Sequence, residues 1–366
     1  MANMNIGTPR FYPDEVSYLL SRGVAATEFA VTASNTSNKF MGTFTTGSAA
    51  ELFDLRPLNK VTFDTSADTD AHVLITIDTQ STSKKNYIAL LNHNLVSAVG
   101  KIRIFAGDAA SDVTAVDGAN ADTADITWAN DTVIDVVNGD TTTAASNDKS
   151  VVIEPATDGS TIVRFAEQTN RYWGIQLEGN TTNTGVATNG TWGSTDCFVG
   201  CVMIGEYFDM PNAPDLNVTS SIMFDGVKTL ESAAGQRFSN MSNSGRTHGA
   251  STKSPFTIGQ PDYEGYGGRL AYDMSFSYLN ATSVFPNRYQ SLVHTDDTVV
   301  SDVWNKTNGS HLPFIFSIDN AYVEDDGSQA NSESVHMFAR FANNSLDLQQ
   351  VAPDVWNVGF RVEEEF

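Results

Sequence analysis

The sequence predicts an all-β protein, built as two β-sandwich-type domains with a short N-terminal helix. Three observations lead there. Short runs rich in Val, Ile, Thr and aromatic residues recur along the chain. Clusters of Asn, Asp, Ser, Thr and Gly separate them, the pattern of strands joined by polar turns. Helical periodicity is scarce, with one clear instance near the N-terminus.

That instance is PDEVSYLLSRG, residues 13–23. It has a Pro-Asp start, apolar positions at Val16, Leu19 and Leu20, and a glycine stop, which together mark a short helix. Strands are expected at 60–65, 72–79, 86–91, 101–106, 126–128, 151–154, 162–165, 172–177 and 198–207. Trp173 falls on an alternating strand and is expected in the core. The run Tyr87-Ile88-Ala89-Leu90-Leu91 stops at Asn92-His93-Asn94. A sandwich strand must reverse at the domain edge, and Asn side chains suit such a turn because their amides bond the freed backbone. His93 is expected there as a turn histidine packed by its neighbours, with a ligand or sugar contact as the alternative.

Residues 107–150 and 178–196 are too polar to pack alone and read as long loops. The segment DMPNAPDLN, 209–217, holds two prolines within four residues and reads as a domain boundary. The expected division is an N-terminal segment with the helix at 1–45, a β-sandwich at 46–215 and a second β domain at 216–366. In that last part Tyr272, Met274, Phe276 and Tyr278 alternate along one strand, and Trp356, Val358, Phe360 and Val362 along another. Leu270 and Phe366 carry these apolar faces to the strand ends, where a neighbouring molecule can cover them. Residues 235–254 have no core pattern and read as an assembly arm, with a disordered surface loop as the alternative. Gly235, Arg237, Phe238, Arg246 and His248 are the interface candidates there, together with Phe366.

The net charge is −23, from 44 acidic and 21 basic residues. Such a surface repels phosphate backbones, which argues against direct nucleic-acid binding. No apolar run reaches membrane-spanning length and no secretory signal is evident at the N-terminus. The two cysteines, Cys197 and Cys201, lie in an apolar run expected to be extended. Four residues apart on a strand they cannot bridge, so buried free thiols are expected, consistent with a reducing cytoplasm.

No phosphate loop, dinucleotide fingerprint, zincin helix or nucleophile elbow is present. SNSGRTHG brings Ser244, Thr247 and His248 close in sequence, but a polar loop explains it. The acidic pairs Asp296-Asp297 and Asp325-Asp326 lack the spacing of a calcium loop. No catalytic residue, metal site or cofactor is therefore expected. Trp128 and Trp192 lie in polar loops, where a flat ring can stack on a sugar, although core filling or a contact with another subunit is the commoner fate of such a ring.

Three segments in order, NYIALLNHNLVSAVGKIRIFAGD, NRYWGIQLEG and FVGCVMIGEYFDMP, resemble galactose-binding-like (jelly-roll) β-sandwiches carried by virion proteins of tailed phages. The stretch NIGTPRFYPDEVSYLLSRG is similar to the opening of structural proteins of marine tailed phages. The C-terminal half, with its Ser-Phe-Ser strand, its PFIF segment and its acidic end at Glu363-Glu364-Glu365, resembles β domains of tail-tip proteins. The resemblance implies a structural virion protein of the tail tip or baseplate, made in the host cytoplasm. It would form a homo-oligomeric ring with other virion proteins as partners. The alternatives are a carbohydrate- or receptor-binding tail-fibre protein, with Trp128, Trp192 and His93 on a host glycan, or a capsid decoration protein.

Overall fold

The structure, a computed structural model, describes residues 6–34, 40–113, 133–141, 149–180, 190–224, 227–241, 255–256, 268–287, 297–321 and 335–365. The chain is all-β and sandwich-type, and its sheets are antiparallel. A six-stranded sheet runs in the order Phe29–Val31, Val73–Asp78, Tyr172–Gly179, Gly100–Gly107, Val151–Pro155, Gly139–Thr141. A four-stranded sheet runs Cys201–Gly205, Lys85–His93, Gly159–Gln168, Val133–Val137. An eight-stranded sheet runs Phe208–Asp209, Arg10–Pro13, Phe314–Ser317, His336–Phe341, Val355–Glu364, Arg269–Asn280, Thr219–Met223, with Leu348–Ala352 also paired to Val355–Glu364.

The four-stranded sheet is the middle layer. On one face Ile88, Leu90, Val163 and Ile204 pack against the six-stranded sheet through Ile104 and Ile175. On the other, Tyr87, Ala89, Leu91 and Met203 meet Tyr12, Ile315 and Phe338 of the eight-stranded sheet. Burial on both faces explains why Tyr87 to Leu91 is continuously apolar instead of alternating. The eight-stranded sheet is itself covered twice. Phe314 and Phe316 turn to its far face while Ile315 between them turns to the middle layer, as the two-residue period of a strand requires. On that far face Phe11, Phe341 and Phe360 gather at centroid separations of 5.4 to 5.8 Å. Val299 and Val303 of a π-helical turn, Val299–Asn305, close the same core.

The sheet of the C-terminal half draws two strands from outside 216–366. Arg10–Pro13 lies between Phe208–Asp209 and Phe314–Ser317. Arg10 clamps Asp209 with two parallel hydrogen bonds, Nε to Oδ1 at 2.6 Å and Nη2 to Oδ2 at 2.8 Å. Its guanidinium also lies over the Tyr207 ring, 3.9 Å from the centroid. The Met210 N–H donates to the Pro9 carbonyl at 2.9 Å, so the first residues of 209–217 are tied into the fold.

The N-terminal helix spans Glu15–Ser21. Asp14 caps it, accepting from Ser17 N–H at 2.8 Å, and its other oxygen accepts from Ile204 N–H at 3.1 Å, which pins the helix to the middle sheet. Gly23, at φ +89°, ends it in the left-handed region that glycine favours. Expected strands agree with those found to within a few residues, apart from 126–128, which lies outside the described residues. The run 198–207 divides at Gly200 into Cys197–Val199 and Cys201–Gly205, which belong to different sheets. A Cβ at Gly200 would stand 1.9 Å from the Pro57 carbonyl oxygen, so only glycine lets the chain cross there. Both cysteines are buried free thiols, and burial raises the pKa of each.

Candidate assembly surface

His93 is the last residue of Lys85–His93 and is buried. The left-handed bend comes one residue earlier, at Asn92 (φ +53°). The Asn92 amide donates to the Pro57 carbonyl at 2.7 Å. Asn94 donates to the Asp196 carbonyl at 2.8 Å and accepts from Phe198 N–H at 2.7 Å. The asparagine amides thus bond freed backbone, as the sequence suggests. Leu95 N–H points at His93 Nδ1, so the proton sits on Nε2, which donates to Thr161 Oγ1 at 2.9 Å. Burial lowers the His93 pKa to about 4, which keeps the ring neutral. The imidazole is a strut between strands, and no face of it reaches solvent.

Of the two readings of Trp192, the structure excludes sugar stacking and gives core filling, because only 3% of the residue is accessible. Its indole N–H donates to the Ala71 carbonyl at 2.6 Å, and its backbone N–H donates to the Thr69 carbonyl at 2.9 Å. The ring fits because Gly100 leaves room: a Cβ there would lie 2.4 Å from the indole. Its polar sequence neighbours hide a side chain that plugs the end of the sandwich core. Trp128, Arg246, His248 and Phe366 lie outside the described residues.

Gly235, Arg237 and Phe238 come together on one element. Val227–Glu231 and Arg237–Met241 form a two-stranded hairpin that, among the described residues, joins none of the larger sheets. Gly235 adopts φ +79° in its turn, and Ser232 closes the turn by accepting from Gly235 N–H at 2.9 Å. Leu230 stands opposite Phe238 across the ladder, and their exposures are 72% and 59%. Just before the hairpin, Thr219–Met223 is the last described strand of the eight-stranded sheet, paired among the described residues only with Arg269–Asn280. Leu216, Ile222, Phe224, Val227, Leu230 and Phe238 are six of the eleven exposed large apolar side chains among the described residues. Only Asp225, Lys228, Glu231 and Arg237 carry charge between 216 and 241, so this stretch is neutral in a chain of net charge −23. Exposed apolar side chains concentrated in one stretch are the raw material of an interaction surface. The periodicity of Val227–Glu231 was too short to be recognised in the sequence, so the hairpin's first strand was missed.

A charged cluster is buried where the layers meet. Lys306 Nζ lies 3.1 Å from Glu206 Oε2 and 3.2 Å from Asp302 Oδ1. Thr298 N–H donates to Asp302 Oδ2 at 2.8 Å, and the Ser301 hydroxyl to the same oxygen at 2.6 Å. Nearby, Lys85 is wholly buried and donates to the carbonyls of Ser81 and Ser83 at 3.1 and 2.8 Å. Burial raises the Glu206 carboxyl from 4.5 to about 7, because it outweighs the attraction of Lys306. Asp302 moves below its ordinary value: burial opposes this, but Lys306 and the hydrogen bonds from Ser301 and Thr298 outweigh it. One ammonium faces two carboxylates, and Glu206 is the one that takes up a proton near neutrality.

This sets a pH dependence. A carboxyl whose pKa is raised on folding contributes stability that is full below its unfolded pKa and is lost as pH rises through the folded one. The stability of the wild type relative to Glu206→Gln is therefore expected to fall between about pH 4.5 and 7.5. Denaturant titrations of both proteins across that range check it. A gap that widens with pH would mean that the ionised Glu206–Lys306 pair outweighs the cost of burial.

A cleft of about 500 Å³ opens between the helix Glu15–Ser21 and the C-terminal half, with Arg56, His311 and Arg340 on its wall. The Arg340 guanidinium is already engaged by Glu365 at 3.4 Å and by the Ser310 carbonyl at 3.2 Å. Among the described residues, no three His, Cys, Asp or Glu side chains converge as metal ligands, and no helix is long and apolar enough to cross a membrane. No protein-family model matches this chain, and no curated protein or solved structure is similar to it.

Proposed function

We propose that this protein is a structural component of a tailed-phage virion, a tail-tip or baseplate ring protein that acts through assembly contacts. The observation that carries the assembly reading is the neutral, apolar surface at 216–241, where a hairpin stands off the sheets beside an open sheet edge. An isolated two-stranded hairpin is at best marginally stable in water. One with Leu230 and Phe238 exposed gains most from being covered by another chain. The place in a phage tail rests on the sequence resemblance and is the finer part of the proposal.

The glycan-binding alternative has lost support from two of its three residues, because His93 and Trp192 are buried. Sedimentation velocity and negative-stain electron microscopy of the purified chain test the assembly reading. A closed oligomer of defined size is expected. A chain that stays monomeric at every accessible concentration, and is missing from purified particles by mass spectrometry, would overturn it.

A further inference from the structure

We infer that the hairpin arm of one copy adds to the open edge of Thr219–Met223 on a second copy, so that the eight-stranded sheet continues across the contact. The inference rests on the assembly reading and names the contact that makes it.

Both halves of that contact are present on the chain. The edge strand Thr219–Met223 hydrogen-bonds to Arg269–Asn280 on one side, no described strand pairs with its other side, and Ile222 is exposed at 63%. An unpaired edge of this kind is a template for another strand. The arm offers two outer edges that pair with no other described strand, and the Leu230–Phe238 pair. The occupant follows from the order of the sequence. Val227 is four residues after Met223, with Asp225-Gly226 between them. Asp-Gly between two strand-forming runs is among the strongest short hairpin signals, so the spacing suits an arm folded back on its own edge strand. The structure does not make that pairing: among the described residues Val227–Glu231 pairs only with Arg237–Met241. Among those residues the edge that the arm would have covered has no partner strand, and every other copy presents the same edge. Exchange of one element between identical chains satisfies both surfaces at little cost. Charge permits it as well. Most of this protein's surface would repel a second copy, but residues 216–241 carry two acidic and two basic side chains and sum to zero. Made head-to-tail, arm to edge, the contact propagates from copy to copy and ends where a ring closes, whereas a reciprocal exchange would stop at a dimer.

Two variants separate the halves. Leu230→Asp/Phe238→Asp blocks the arm and leaves the edge. Ser220→Lys/Ile222→Lys blocks the edge and leaves the arm. All four side chains are exposed, so circular dichroism and melting temperature are expected to match the wild type. In sedimentation velocity the wild type is expected to form assemblies larger than a dimer, and each variant alone to be monomeric. An equimolar mixture should form a heterodimer and nothing larger, because one intact arm meets one intact edge. As a second readout, Ser221→Cys and Ser239→Cys placed on separate copies should give an intermolecular disulfide, while the buried Cys197 and Cys201 stay unreactive. An oligomeric wild type whose variants still assemble, or whose mixture stays monomeric without the disulfide, would overturn the arm-to-edge contact and leave the assembly reading standing. A monomeric wild type would overturn both.

Discussion

Lys306→Ala is expected to lose about 3–5 kcal/mol of folding stability near pH 8. The ammonium is 2% exposed and faces Glu206 and Asp302, themselves 6% and 1% exposed. Removing it leaves buried carboxylates without their cation, and the cost is dominated by that uncompensated charge. Near pH 8 both are ionised, so the effect is greatest there. The double variant Lys306→Met/Glu206→Gln should recover part of the loss, since it removes charge from both sides of the pair. Urea denaturation with matched slopes measures both. A loss below about 1 kcal/mol would mean that water reaches the carboxylates and that the pair behaves as a surface ion pair. The consequence extends beyond stability. Lys306 follows the π-helical turn Val299–Asn305 and Glu206 follows the strand Cys201–Gly205, so the pair fastens the C-terminal half to the middle sheet.

Trp192→Ala is expected to cost about 3–5 kcal/mol as well, through the cavity left by the indole and the lost bond to the Ala71 carbonyl. A sugar-stacking tryptophan would behave differently: its removal would spare stability and abolish binding to glycans. Thermal and urea unfolding of the variant, with a glycan array on both proteins, distinguishes the two. A variant that melts like the wild type but no longer binds a glycan would return Trp192 to the surface role that its polar neighbours suggest.

Much of the architecture is local, and local features can be read along the chain. The helix Glu15–Ser21 announces itself through Asp14, the apolar positions after it and Gly23, all within one short stretch. The strands through Val73–Asp78, Gly100–Gly107 and Tyr172–Gly179 do so through β-branched runs bounded by turn residues. The buried thiols and the core position of Trp173 follow from the same apolar runs. The arm was partly legible: a long polar stretch without core pattern drew attention to Gly235, Arg237 and Phe238, and these lie on the exposed hairpin.

Pairings distant in sequence decide the rest. Nothing near Arg10 shows that its partner is Asp209, or that Arg10–Pro13 lies beside Phe314–Ser317. Nothing near Lys306 identifies Glu206. Trp192 looked exposed because burial depends on Gly100 and Ala71, which approach it only once the sheets have paired. The apolar run at Tyr87 to Leu91 implied cover on both faces, and its composition could not tell which layers supply that cover. Composition and periodicity act over a few residues and so specify strands, turns and one helix. Layer order, the buried ion cluster and the uncovered edge at Thr219–Met223 arise from contacts between residues far apart in the chain, which exist only after the backbone hydrogen bonds of three sheets have brought them together.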